Sequence, residues 1–271
     1  MLRIVGKVML VGFAGVILAP LLIVVITTLK TNPEFYANPL SWPDQFSLDN
    51  VRSLFAKQMM WRYFWNSTLI TFVTVAAELL LASSMAYAIM RYGKSKVGKL
   101  LFALFAIGLM IPSQVNMIPI YALLREWSLT NSHFGLIMIS LTILLPLSVF
   151  ILSGFVNTLP KELMEAGEID GASELRLFTQ IVVPLCAPYL ATTAAFLFVI
   201  VWNDLLFPML LLVEKDKLTL PLALLQFKGE YVTHYPLLMT GVVVAALPMI
   251  VIFVFLQRYF IAGALAGSLK G

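Results

Sequence analysis

Six long apolar stretches alternate with polar segments along the chain. A membrane-spanning helix needs about 20 mostly apolar residues, because the hydrocarbon core is about 30 Å thick and a helix rises about 1.5 Å per residue. The stretches that meet this length are 8–29, 67–90, 100–124, 134–155, 181–205 and 236–260. Lipid offers no water to backbone polar groups, so each stretch is predicted to be helical. The pattern therefore predicts an all-α integral membrane protein, with one transmembrane domain of six helices over residues 1–271.

Composition agrees with this prediction. Apolar residues make up 61% of the 271 residues and charged residues only 12%, whereas a soluble domain carries about 25% charged residues. Cys186 is the one cysteine and His133 and His234 are the two histidines, so the sequence offers no internal disulfide and no metal-ligand cluster. The Lys and Arg residues form no long run, which argues against nucleic-acid binding.

The first apolar stretch follows Arg3 and Lys7 and could be mistaken for a signal peptide. Its apolar run is longer than a signal peptide needs, and no small-residue cleavage site follows it. We interpret it as an uncleaved membrane anchor.

The distribution of basic residues predicts the orientation in the membrane. The loop between the second and third stretches carries Arg91, Lys94, Lys96 and Lys99 and no acidic residue. Loops rich in Lys and Arg face the cytoplasm. Counting spans from this loop places both termini in the cytoplasm, residues 30–66 outside the cell and residues 157–180 inside.

Two of the stretches are interrupted by proline and polar residues. Pro112 and Pro119 break the third, and Pro208 follows a polar pair in the fifth. Non-helical backbone at membrane depth is tolerated only inside protein or beside a water-filled path. The residues at these breaks that suit contact with a transported solute are Gln114, Asn116, Trp202 and Asn203.

The predicted cytoplasmic segment 159–180 has the pattern of a short helix, a turn and a second helix. Pro160 suits the first turn of a helix, and acidic residues follow near the positive end of its dipole. Leu163, Ala166 and Ile169 form one apolar stripe, and Gly171 allows a sharp turn. Such a rigid, half-apolar surface suits docking into a groove of a partner protein, although an amphipathic helix lying on the membrane would show the same pattern.

This segment resembles the EAA signature of ABC importer permeases. Glu165, Ala166, Gly171, Ile181 and Pro184 match that signature at its spacing. Gly167 replaces its second Ala, which should weaken the helix by up to about 1 kcal/mol, and Val183 replaces a Leu. Other parts of the chain are similar to MalG-type carbohydrate permeases, namely 40–43, 47–51, 66–67, 110–114, 202–204 and 257–271.

The resemblance implies a type I ABC importer transmembrane fold in the bacterial inner membrane. The chain would pair with a second, homologous permease and receive a sugar, an oligosaccharide, a polyol or a sugar phosphate from an extracytoplasmic binding protein. A cytoplasmic ATPase dimer would bind the ATP and magnesium, and this chain would bind no cofactor and would not be an enzyme. The residues implied to contact the ATPase are Glu165, Ala166, Gly167, Asp170, Gly171 and Ala172 in the segment, and Gly267, Ser268 and Lys270 in the tail.

The residues themselves also indicate that ATP hydrolysis lies elsewhere. The run from Gly93 to Lys99 approaches a phosphate-binding loop, but Leu100 stands where Ser or Thr must hold magnesium. No sequence pattern of a zinc hydrolase or a serine hydrolase occurs.

One acidic residue inside a span leaves an alternative open. Glu78 lies in the middle of the second stretch, on the same helical face as Thr71 and Thr74. An intramembrane acid is by default functional, so the chain could be an ion-coupled secondary transporter or a channel. A neutral Glu78 that forms a hydrogen bond between helices is the structural alternative.

Overall fold

The computed structural model describes residues 2–57, 59–227 and 233–268, and the side chains of residues 5–56, 59–227 and 233–257. These residues form helices and no strand. In chain order the helices are α1 (Leu2–Thr28), α2 (Asn32–Ala37), α3 (Asp49–Lys57), α4 (Met60–Tyr92), α5 (Lys96–Met110), α6 (Met117–Glu126), α7 (His133–Val156), α8 (Lys161–Ile169), α9 (Glu174–Arg176), α10 (Val183–Leu185), α11 (Ala187–Trp202), α12 (Leu206–Leu211), α13 (Leu220–Leu224) and α14 (Tyr235–Ser268). Three 3₁₀ turns (Ser113–Asn116, Lys215–Lys217 and Leu225–Phe227) and one π-helix (Leu177–Val182) complete the described secondary structure.

Four helices are long and apolar enough to cross a membrane alone: α1, α4, α7 and α14. Among the described residues, two bent helix pairs bring the number of crossings to six if each pair is one span: α5 with the segment through α6, and the pair that ends in α11. The all-α class and the six apolar spans predicted from the sequence are confirmed.

The third span breaks where the sequence places Pro112. Its two parts, Lys96–Met110 and Ser113–Glu126, meet at 87°. Ile111 adopts an extended conformation, with φ −91° and ψ 113°, because the residue before a proline is disfavoured in the helical region. The break therefore turns a short polar stretch away from the axis of α5.

The fifth span is also bent, at Cys186, by 75°. The predicted span 181–205 is divided here: the arm before the bend contains charged and polar residues from Glu174 onward, and the apolar crossing is α11. Pro188 lies in the first turn of α11, where its missing N–H removes no helical hydrogen bond.

Contacts divide the chain into two units, of which the first joins the residues up to Trp65 with Leu218–Pro248. In this unit the Lys30 side chain is only 1% exposed, and its Nζ donates to the carbonyl oxygens of Asn38 and Pro39, each at 3.0 Å. The Asn50 amide donates to the carbonyls of Thr28 and Lys30 at 2.8 and 2.7 Å. The Asn50 bond satisfies the Thr28 carbonyl, one of those that the end of α1 leaves unpaired, and the Lys30 bonds satisfy two carbonyls that follow α2.

The second unit joins Asn66–Lys217 with the residues from Met249 onward. Its core contains Ala82 and Ala86 of α4 and Val149 and Leu152 of α7, all at most 1% exposed. Small residues let the helix backbones approach closely, which is how helices associate where lipid is as apolar as the side chains. Between α5 and α7, a Cβ added at Gly108 would lie 2.9 Å from the Pro146 ring, so glycine permits that approach as well.

Candidate functional site

Helix α8 begins and ends at the residues that the sequence indicates. Pro160 immediately precedes it, and Gly171 follows its C-cap with φ +75°. The Ala172 N–H donates to the Gly167 carbonyl at 2.9 Å, and the Gly171 N–H donates to the Glu168 carbonyl at 3.0 Å. This pair of bonds is the Schellman motif, which requires a left-handed residue where Gly171 stands. The turn that reverses the chain after α8 is therefore fixed by its backbone.

The residues after this turn continue as helical structure within the second unit. The Ser173 hydroxyl caps α9 by accepting a hydrogen bond from the Arg176 N–H at 3.4 Å. The chain continues through the π-helix Leu177–Val182 and α10 to the bend at Cys186. We call residues 160–186, from Pro160 to this bend, the surface segment.

The inner face of the surface segment is packed into the core of the second unit. Met164 of α8 and Leu177, Val182 and Cys186 belong to the same buried cluster as the α4 and α7 side chains. Each of these four residues is at most 4% exposed. The segment is thus part of the folded core and not a loop lying over it.

Gly167 has a packing role that outweighs its weak helix propensity. It is buried, and a Cβ at this position would lie 2.5 Å from the Leu177 side chain and 3.0 Å from that of Ile181. The sequence alone presents Gly167 only as a departure that weakens α8. The structure shows that it lets α8 approach the π-helix more closely than any larger residue allows.

The outer face of α8 remains exposed and partly apolar. Ile169 is 86% exposed and Leu163 is 40% exposed, and Ala166 lies between them on the surface. Glu165, Asp170 and Gly171 are also exposed, and Ala172 is partly buried. The predicted stripe therefore faces outward, whereas Met164 and Gly167 form the buried face.

An ion-pair bridge connects the surface segment to the end of α4. Arg91 Nη2 lies 2.6 Å from Glu168 Oε1 and 2.5 Å from Glu174 Oε1, and Arg91 Nε donates to Glu174 Oε2 at 3.2 Å. The Tyr87 hydroxyl donates to the same Glu174 oxygen at 2.5 Å. One guanidinium therefore joins the last turn of α8 to the first residue of α9, and both to α4. A planar guanidinium suits this geometry because it presents several donors in fixed directions.

The bridge persists at neutral pH. The Arg91 guanidinium and then the Tyr87 hydroxyl hold the pKa of the Glu174 carboxyl below its usual range. A lowered carboxyl pKa contributes stability that is complete above the pKa of an ordinary Glu and is lost as pH falls through the lowered value. The link between α4 and the surface segment is therefore weakened only in acid.

These bridging residues are the part of the site that sequence reasoning missed. Arg91 entered the sequence argument only as one of four basic residues that set orientation, and Tyr87, Glu168 and Glu174 were not singled out. The signal available in the sequence was an arginine directly at the end of an apolar span and a predicted segment on the same side of the membrane that is rich in acids.

The polar breaks of the third and fifth spans meet at one cavity of about 210 Å³. Gln114 and Ser113 line it from the third span, and Asp204 lines it from the connection after α11. Of the four residues predicted for a solute path, Gln114 therefore lines this cavity. Asp204, which also lines it, is the sequence neighbour of a second predicted residue, Asn203.

The other three predicted path residues lie elsewhere. Trp202 is only 2% exposed and stacks on Phe198, with ring centroids 5.5 Å apart and planes inclined by 13°. Asn203 is exposed, and its amide donates to the Val199 carbonyl at 2.8 Å. Asn116 is partly buried at the end of a 3₁₀ turn and is not among the residues that line the cavity.

Glu78 is fully buried in the second unit. Thr71, Thr74 and Glu78 are each at most 1% exposed, so the polar face predicted from their spacing turns inward. The Ser148 hydroxyl of α7 lies beside the carboxyl and donates to the Leu144 carbonyl at 3.0 Å. Glu78 forms no ion pair with any side chain that the structure describes.

The predicted tail contacts cannot be placed in this site. Gly267 and Ser268 belong to the last turn of α14, where only the helical backbone is described. Lys270 lies outside the described residues.

Comparison with known proteins identifies relatives across nearly the whole chain. A family model described as "Binding-protein-dependent transport system inner membrane component" matches residues 78–264. The arabinooligosaccharides transport system permease protein AraQ of Halalkalibacterium halodurans is 34% identical over 268 residues, which cover 96% of this chain and 95% of that protein. The melibiose/raffinose/stachyose import permease protein MelC of Bacillus subtilis is also 34% identical, over 93% of this chain and 91% of that protein. The multiple sugar-binding transport system permease protein MsmG of Streptococcus mutans is 32% identical, with 97% and 96% covered.

Solved structures confirm the predicted type I fold. A chain of a bacterial ABC transporter involved in the import of the acidic polysaccharide alginate superposes with a TM-score of 0.84 at 19% identity, covering 96% of each chain. A chain of the MetNI methionine ABC transporter, in an inward-facing conformation, superposes with a TM-score of 0.61 at 16% identity, covering 75% of this chain and 97% of that chain.

Replacing the bridging arginine should loosen the surface segment. Arg91→Met removes both ion pairs and leaves Glu168 and Glu174 without their shared partner. Because these carboxylates are about half exposed, with side-chain exposures of 45% and 54%, we expect a loss of stability on the order of 1 kcal/mol. Thermal unfolding of the detergent-purified chain measures this loss, with Arg176→Met as the control because Arg176 forms no ion pair among the described side chains. Equal unfolding temperatures for the two variants would contradict the bridge.

Glu78→Gln should retain solute uptake and normal stability. An amide has the shape of a carboxylic acid and makes comparable neutral hydrogen bonds, and the buried site holds no counter-ion for a charge. Glu78→Ala should instead lower the unfolding temperature, because it leaves a cavity in the core. Uptake of radiolabelled solute by cells that produce each variant provides the measurement. A folded Glu78→Gln protein without uptake would support the ion-coupled alternative.

Proposed function

Because the chain belongs to the family of binding-protein-dependent transport system inner membrane components, we propose that it is one permease of a sugar or oligosaccharide importer powered by a separate ATPase. The surface segment carries this proposal: its inner face is built into the core, the Arg91 bridge joins the end of α8 and the beginning of α9 to α4, and its outer face presents an exposed apolar stripe. A rigid helix with such a face can enter a groove of a partner and transmit the partner's movement.

The proposed partner at the surface segment is a cytoplasmic ATPase dimer, which binds the ATP and magnesium. Within this chain, Glu165, Ala166 and Asp170 present polar and small side chains at the outer face of α8 and the turn after it. Gly171 fixes the direction in which the chain leaves that face. The tail residues Gly267, Ser268 and Lys270 are proposed to contact the same ATPase.

The substrate class follows from the relatives. The names of AraQ, MelC and MsmG refer to arabinooligosaccharides, to melibiose, raffinose and stachyose, and to multiple sugars. The cavity at Gln114 and Asp204 supplies the amide, hydroxyl and carboxylate groups that hydrogen-bond sugar hydroxyls. At about 210 Å³ it is smaller than the 300–1,000 Å³ of a usual ligand pocket, which supports a path completed by a second, homologous permease.

The proposed arrangement places the chain in the bacterial inner membrane with both termini and the surface segment in the cytoplasm. The basic loop between α4 and α5 supports this orientation, and the Arg91 bridge joins that end of α4 to the surface segment. An extracytoplasmic binding protein would then deliver the sugar at the opposite side of the membrane, where counting the spans predicts residues 30–66.

Reversing the charge at Glu165 should uncouple ATP hydrolysis from uptake. In the full transporter, Glu165→Lys places a long cation on the outer face of α8, so we expect the ATPase to copurify poorly or to hydrolyse ATP without sugar uptake. Glu126→Lys is the matched control, since Glu126 is also exposed, at the end of α6, outside the surface segment. Normal copurification, hydrolysis and uptake in the Glu165→Lys transporter would overturn the docking assignment.

Gln114→Ala should weaken sugar uptake without affecting the ATPase contact. Loss of one hydrogen bond to the solute corresponds to about a two- to tenfold rise in the half-saturating sugar concentration. Gln226→Ala serves as the control, because Gln226 is exposed and lies outside the cavity. If uptake curves for the two variants coincide with that of the parent, Gln114 is not part of the path.

A further inference from the structure

A larger cavity of about 620 Å³ lies beside the surface segment, and apart from Glu165 at its edge the proposed transport cycle assigns its lining no ligand. The end of α4, the beginning of α5, the connection after α7 and the first turns of α8 enclose it, all within the second unit. Its walls combine cationic side chains with apolar ones, and it lies where two membrane spans end.

The cavity carries an excess of positive charge that no described side chain neutralises. Lys94, Lys99 and Lys161 line it, are exposed and form no ion pair with any side chain in the described ranges. Glu165 is the single acid of the lining, and Arg91, also in the lining, is occupied by Glu168 and Glu174. The three lysines are therefore available to an anion from outside the chain.

The backbone around the cavity is held in place before any ligand arrives. A Cβ at Gly98 would overlap the Tyr92 carbonyl, so the turn between α4 and α5 packs closely on itself. The Ser95 hydroxyl caps α5 by accepting a hydrogen bond from the Gly98 N–H at 3.1 Å. The cavity also lies at the N-terminal end of this 15-residue helix, where the helix dipole adds to the positive potential.

The apolar part of the lining distinguishes a lipid from a small soluble anion. Phe102 lines the cavity six residues into α5, which is about 9 Å along the helix from Lys96. Met90 and Leu159 also contribute apolar surface. A ligand that fills the cavity would contact lysines at one end and an apolar wall that continues into the span at the other.

We propose that this cavity binds the phosphate-bearing headgroup of an anionic membrane lipid such as phosphatidylglycerol. The lysines hold the phosphate, and the apolar wall accommodates the beginning of the acyl chains. Basic pockets between membrane helices on the cytoplasmic side bind lipid headgroups of this chemistry. The bound lipid would contact α4, α5 and α8 together and so stabilise the position of the surface segment.

The test measures lipid binding to the full-length chain purified and delipidated in detergent, and it does not depend on uptake or on the ATPase. Native mass spectrometry follows titration with phosphatidylglycerol, phosphatidylcholine or glycerol 1-phosphate. The triple variant Lys94→Gln/Lys99→Gln/Lys161→Gln removes the charges of the cavity. Lys96→Gln is the matched control, because Lys96 lies in the first turn of α5, as Lys99 does, but does not line the cavity.

Phosphatidylglycerol should bind the parent chain and Lys96→Gln equally, and phosphatidylcholine should bind far more weakly. The triple variant should lose about 100-fold in affinity for phosphatidylglycerol, from roughly fivefold for each lysine, while its gel-filtration profile stays unchanged. Unchanged lipid affinity in the triple variant would overturn the proposal, as would equal affinity of the parent for both lipids.

Two further outcomes would assign the cavity to another occupant. If glycerol 1-phosphate binds as tightly as the lipid and with the same lysine dependence, the site takes a soluble phosphate and the lipid is excluded. The second outcome is that the purified chain binds the lipid but the transporter with its ATPase does not. If a cross-linker at position 99 also captures the ATPase, an acidic surface of that partner occupies the cavity in the assembly.

Discussion

The contact between Arg91 and the two carboxylates of Glu168 and Glu174 determines how the surface segment is held. Its contribution to the free energy of folding is modest, because the carboxylates are about half exposed to solvent. Its importance is geometric, since one side chain fixes the end of α8, the beginning of α9 and the end of a membrane span relative to one another. Without that restraint, the backbone turn at Gly171 and the packing of Met164 and Gly167 against the core would have to position the outer face of α8.

The same restraint explains how a force on α8 could reach the membrane. The surface segment has a buried face that is continuous with the core of α4 and α7, and it runs through a π-helix and a fixed bend into α11. Well-packed interiors transmit displacements instead of absorbing them. A partner that moves α8 would therefore move the second unit's core with it, including the helix that borders the Gln114 cavity.

Most of the architecture could be predicted from the sequence, because hydrocarbon requires long apolar helices and proline disrupts them. The six spans, the break at Pro112 and the helix that ends just before Gly171 were predicted, since each depends on neighbouring residues. The Arg91 bridge was not, because it joins residues more than 70 positions apart, and no local pattern reports such a pair. Trp202 was assigned to a solute path from its chemistry, but the structure stacks it on Phe198 in the core.

The π-helix Leu177–Val182 sets a constraint on the length of the chain. Each residue of an ordinary helix advances the direction of its side chain by about 100°, and the π-helix already departs from that geometry over its single turn. Adding or deleting one residue between Gly171 and Pro184 would rotate α11 relative to α8 by about a quarter turn. The side chains that α8 and α11 now bury could then no longer both face the core. The fixed interval between these two residues is therefore a matter of angular register, and substitutions within it are far easier to accommodate than a change in its length.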